Sequence, residues 1–233
     1  MIPALPKPAD LRSAFRRRRL PAILKERALP AIERTGVLFV HVPKCGGKTV
    51  LRDLYGLAEH DGFGHAPLAA YEAVIGPKRL SQLYKFAFVR EPLSRCRSGF
   101  AFAQRGGFGL DGDLMLQTRL AGLTFEEFVS TGTLEAVLDT VVFRPQHEFF
   151  DAKHPGSRLD RIASFEHFEP ELRRVLERVG IERPVSKINQ ASSKPPPMDD
   201  PVIARRIEDI YARDYDVFAP IFRDGEAAMA LDR

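Results

Sequence analysis

LFVHVPKCGGKTVLRDL, residues 38–54, changes character twice. The apolar run from Val37 to Val42 has the continuity of a buried strand. It stops at Pro43, Lys44, Cys45, Gly46, Gly47, Lys48 and Thr49, and Leu51 and Leu54 then resume at helical spacing, which predicts a helix over 48–57. A strand, a glycine turn and a helix in that order make a cradle for an anion. Turn amides and the positive end of the helix dipole point the same way, and Gly46 and Gly47 let the backbone come close to the ligand. The fingerprint of the nucleoside-triphosphate loop also asks for a glycine five positions before Gly47, and Val42 stands there. The stretch keeps two lysines and Gly-Lys-Thr without that first glycine.

Outward from it, strands alternate with helices. Tyr84–Val89 (YKFAFV) reads as a second buried strand, with Pro92 as the first residue of a helix reaching about Phe102. A weak helix is expected over 67–75, a mobile glycine-rich loop over 105–113, and helical stretches at 124–130 and 133–139. Arg158–Phe165 reads as a third strand, followed by helices over Glu169–Val179 and Pro201–Asp214 with a proline-rich connector at 189–201 between them. This alternation predicts an α/β fold, a P-loop-like three-layer α/β/α arrangement around a mainly parallel sheet. A single domain is expected over 36–233, preceded by a basic arm over 1–35 that contains Arg16, Arg17, Arg18 and Arg19. Two readings of the arm stand side by side: a solvated segment, or a peripheral contact for an anionic membrane or acidic partner.

Composition narrows the class. The chain has 233 residues, 44% hydrophobic and 28% charged, as in an ordinary globular protein. With 35 Lys+Arg against 31 Asp+Glu the net charge is only +4, too small to imply nucleic-acid binding but suited to an anionic cofactor or substrate. Two cysteines, Cys45 and Cys96, make neither a disulfide framework nor a metal cluster, and no apolar run approaches the roughly 20 residues of a membrane span. These features, with no signal-peptide pattern at the start, predict a cytoplasmic protein.

The second strand also ends in an anion-suited segment. In FVREPLSRCRSGF, residues 88–100, Arg90 sits at the strand end and Ser98 lies eight residues on, with Ser94 a turn earlier on the same helix face. An arginine fork with a hydroxyl matches a phosphate monoester, although Arg90 has an alternative as an ion-pair partner of Glu91. Together VPKCGGKT and FVREPLSRCRSGF resemble the superfamily of sulfotransferases that use 3′-phosphoadenosine 5′-phosphosulfate (PAPS), in particular its carbohydrate branch, and weaker echoes extend the likeness over about 36–222. The resemblance implies that Lys44, Cys45, Gly46, Gly47, Lys48 and Thr49 hold the 5′-phosphosulfate and that Arg90 and Ser98 hold the 3′-phosphate. It implies that Lys44 is catalytic, neutralising the bridging oxygen as the bond breaks, and that the product nucleotide is adenosine 3′,5′-bisphosphate. Lys48 departs from the pattern, since many relatives carry Thr or Ser there.

The implied reaction is an in-line sulfuryl transfer to a hydroxyl of an acceptor, expected to be a saccharide or glycoconjugate, with no metal. Its base is expected to be a histidine. His65 in GFGHAPL is the first choice, because related carbohydrate sulfotransferases carry a catalytic His in a comparable stretch; His41 is expected to be structural and His147 a substrate contact. His60, His154 and His167 read as surface residues; the adenine pocket is expected from residues after the second strand and from the connector 189–194, where Ser192, Ser193 and Lys194 are placed to touch the 3′-phosphate as well. Arg105, Arg119 and Arg144 suit an acidic acceptor, or simply meet water. Two rivals remain: a P-loop small-molecule kinase using ATP and Mg²⁺, for which no aspartate stands at the end of an apolar strand, and an inactive nucleotide-binding protein of the same fold.

Overall fold

Three parallel strands set the frame: β1 (Val37–Val40), β2 (Tyr84–Val89) and β3 (Arg161–Ser164), joined in the order β1-β2-β3-β4 by a short antiparallel strand, β4 (Ala228–Met229). The computed structural model describes residues 24–57, 64–107, 109, 111–182, 184–186 and 200–230. Val40 pairs with Ala87 and Val89 with Ser164, so the carboxyl ends of all three parallel strands open onto one rim of the sheet. In sheets of this kind ligands bind beyond that rim.

The mixed α/β architecture with a mainly parallel sheet agrees with the sequence. The helices are α1 (Leu29–Thr35), α2 (Gly47–Tyr55), α3 (Leu68–Ile75), α4 (Pro77–Leu80), α5 (Pro92–Gln104), α6 (Asp111–Leu120), α7 (Phe125–Ser130), α8 (Phe168–Arg178), α9 (Pro201–Ile210), α10 (Ala212–Val217) and α11 (Ala219–Phe222). Some of the helix starts carry clear side-chain caps. Glu91 accepts from the N–H groups of Leu93 and Ser94 to start α5, and a reciprocal Thr124–Glu127 capping box starts α7. The Tyr55 hydroxyl at the end of α2 donates to the Val37 carbonyl and accepts from the Phe39 N–H, both at 3.0 Å, so it covers part of the open edge of β1.

Several expected boundaries move. The domain begins earlier than residue 36: Leu24, Ala28, Ala31 and Ile32 are all buried in the main core, so the stretch 24–35 is folded structure and not arm. Apolar periodicity too short to stand alone hid it. Arg16–Arg19 and the connector 189–199 lie outside the described residues. The glycine-rich loop gives way to α6 at Asp111, the stretch 133–139 shortens to a 3₁₀ turn over Glu135–Val137, and the helix expected over 201–214 breaks at Tyr211. At that break the buried Tyr211 hydroxyl donates to the Phe143 carbonyl at 2.7 Å.

Phenylalanines build two cores. Phe39, Phe86 and Phe88 line the sheet, while Phe100, Phe125, Phe128 and Phe143 pack α5, α6, α7 and α9 into a second cluster. Among the described residues, ten of the chain's seventeen Phe are buried in these two clusters. Among the described residues no helix is long and apolar enough to cross a membrane.

Candidate active site

The loop between β1 and α2 is held from outside by two rings. A Cβ on Gly46 would meet the Phe168 ring at 2.3 Å, and one on Gly47 would meet His41 Nε2 at 1.8 Å. Gly46 also has φ +80°, a conformation glycine adopts without strain. The sequence explains the glycine pair by close approach to an anion; the structure adds that neighbouring side chains occupy the space a Cβ would need. Lys44 is the one described residue other than glycine with positive φ, at 69°. Its ammonium sits 4.2 Å above the Phe102 ring. Cys45 turns its thiol inward, 3.6 Å from the Gln146 side-chain oxygen, and burial pushes that thiol up to about 12.

Arg90, one residue past β2, comes to the same place. Its guanidinium lies 3.5 Å from the Lys44 carbonyl and 4.8 Å over the Phe165 ring, and its Nε donates to Ser94 Oγ at 2.9 Å. Glu91 is engaged elsewhere: besides capping α5 it accepts from the Tyr215 hydroxyl. The parallel sheet thus brings two segments 46 residues apart in sequence into contact at one rim.

A profile of the sulfotransferase family matches residues 31–219. The chain belongs to the sulfotransferase family. Neither a search of curated proteins nor one of solved structures finds a match.

In this sulfotransferase the expected site residues fall into three groups. Lys44 to Thr49 and Arg90 come together as described, with Thr49 buried and Lys48 half-buried in the first turn of α2. Ser98 is half-buried farther along α5, and Ser94 is the hydroxyl that meets Arg90. His65 stacks on His41 with ring centroids 4.3 Å apart, and His41 stacks in turn on Phe39. His41 is hydrogen-bonded to the Gly64 backbone, which ties the His65 loop to the strand.

The electrostatics follow first from burial and then from the crowding of cations. Burial lowers the Lys44 ammonium to about 8, and Arg105, Arg90 and Lys48 push in the same direction. Burial, then the Lys44 charge, takes His65 down to about 4, so its ring is neutral near pH 7. Burial also lowers His41 well below the ordinary imidazole range, with His65 adding to the shift.

Other expected residues stand apart. His147 lies 2.6 Å from Asp214 Oδ1 through its Nδ1, Arg144 pairs with Glu148 at 3.7 Å, and Arg119, His154 and His167 are exposed; Arg105 is exposed too, but its charge reaches Lys44. His60, Ser192, Ser193 and Lys194 lie outside the described residues. Sequence reasoning missed Phe102, Phe165 and Phe168, which underlie the cations and the loop, and it gave no role to Gln146. An aromatic just beyond a strand end was the available signal for Phe165 and Phe168; a buried glutamine leaves none.

Proposed function

We propose that the protein transfers a sulfuryl group from PAPS to a hydroxyl of an acceptor, a saccharide or glycoconjugate. The observation that carries this reading is the meeting of Arg90 with Lys44, which puts two basic segments side by side at the ends of β1 and β2. The donor set fits such a ligand. Burial depresses Lys44 most, and the charges of Arg105, Arg90 and Lys48 add to it; a polyanion would offset that added repulsion. PAPS, when bound, supplies the activated sulfuryl group.

The chain's own residues then divide the work. Lys48, Thr49 and the first-turn amides of α2 bind the 5′-phosphate, and Arg90 with Ser94 and Ser98 takes the 3′-phosphate. The Lys44 ammonium offsets negative charge that grows on the departing oxygen. His65, neutral beside it, accepts the proton of the acceptor hydroxyl on a ring nitrogen. Phe102 and Phe168 keep water from one side of Lys44 and of the loop. We place the protein in the cytoplasm, a reading supported by two free, buried thiols.

Calorimetry with adenosine 3′,5′-bisphosphate and, in parallel, ATP with Mg²⁺ tests the proposal. Binding of the bisphosphate is expected. Binding of ATP–Mg²⁺ alone would install the kinase reading in its place, and silence toward both would leave the sulfotransferase fold without its donor.

A further inference from the structure

Gln146 is fully buried, and its carboxamide makes to Arg90 the two hydrogen bonds that a neighbouring strand would make. Oε1 accepts from the Arg90 N–H at 3.0 Å, and Nε2 donates to the Arg90 carbonyl at 2.8 Å. The same Oε1 faces the Cys45 thiol of the loop at 3.6 Å. Arg90 lies one residue beyond the last β2–β3 pair, Val89 with Ser164, so the side chain adds a rung where the ladder has stopped. Gln146 is itself anchored: its N–H donates to Asp214 Oδ2 at 2.8 Å, and that fully buried carboxylate also accepts from the His147 N–H at 2.9 Å. Nearby, the buried Arg95 guanidinium donates to the carbonyls of Val142 and Arg144 and fixes the turn that delivers Gln146.

We propose that Gln146 is the positioning residue that aims Arg90 and the Lys44–Cys45 turn at one nucleotide, and that the 3′-phosphate contributes to affinity only while Gln146 holds this register. The inference rests on the PAPS reading above. Arg90 leaves the strand end with no further ladder to fix its peptide plane, and a small rotation of that plane swings the guanidinium away from the loop. A buried amide paired with both the N–H and the C=O removes that rotation.

The test compares adenosine 3′,5′-bisphosphate with adenosine 5′-monophosphate, by calorimetry on wild type and on Gln146→Met, well below each unfolding midpoint. The ratio of the two affinities isolates the 3′-phosphate. In wild type we expect the bisphosphate to bind at least about tenfold tighter, as hydrogen bonds to a charged group allow. In Gln146→Met that preference is expected to fall to about twofold or less, with the monophosphate affinity changed far less. In an Arg90→Ala background, Gln146→Met is expected to leave the ratio where Arg90→Ala alone puts it. Gln146→Asn, which keeps the amide but draws it back by one methylene, gives the same reading should the methionine variant not fold. A variant that loses stability yet keeps the wild-type ratio overturns the inference, because Gln146 would then only fill the core. A wild-type protein without preference for the bisphosphate overturns the donor reading itself, and this inference with it.

Discussion

Lys44 combines a strained backbone with a depressed ammonium, and the two have separate consequences. A non-glycine residue in the left-handed region costs on the order of 1 kcal/mol, held here by the packed loop around it. Lys44→Gly is therefore expected to be about 1 kcal/mol more stable than Lys44→Ala in urea unfolding, while both lose turnover by about 10²–10³ at saturating donor. Unchanged turnover in either would remove the leaving-group role. The charge makes a pH prediction. Lys44 is an ammonium below about 8 and His65 a free base above about 4, so kcat/KM for the donor should be flat between those limits. It should fall as pH rises through about 8, when Lys44 loses its proton, and as it drops through about 4, when His65 gains one. Bound donor stabilises the ammonium, so the alkaline limb of kcat should lie higher than that of kcat/KM. His65→Ala should lower turnover toward the low end of about 10²–10⁴, because so weak a base is poorly matched to neutral pH, and should leave adenosine 3′,5′-bisphosphate binding intact.

At the level of elements, the loop between β1 and α2 is shaped by what packs on its back. Gly47 carries no positive φ, so Gly47→Ala poses a purely steric question: the new methyl enters the place of the His41 ring, which is itself wedged between Phe39 and His65. Loss of bisphosphate binding is expected in Gly47→Ala, with recovery in the His41→Ala/Gly47→Ala double variant, where the ring is gone. Failure of the double variant to recover would mean that the glycine serves the ligand directly. These two strand–loop–helix units were legible in the sequence because their signals are local. Continuous apolar runs gave β1 and β2, Pro92 marked the start of α5, and lysines and an arginine at strand ends marked the rim. The edge covering by Tyr55 was not legible, since an aromatic at the end of a helix reads equally well as core.

Across the whole molecule, the stretch 24–35 closes the core beneath β1 and α2. Ile32→Ala is expected to cost about 2–5 kcal/mol, seen as a lower urea midpoint; a neutral result would return this stretch to the status of an arm. The site shows the same division between near and far. By itself the sequence determined the α/β class, the parallel strands, the anion-suited loop and the arginine at the second strand end, because each is written in periodicity or in a few adjacent residues. Tertiary structure alone decided that Phe168 and His41 wedge the glycines, that Ser94 meets Arg90, and that Gln146, 56 positions downstream of Arg90, ties the two segments together. Such partners meet through the return of the chain over the sheet, and a contact made by burial and distance in space has no period for a sequence to display.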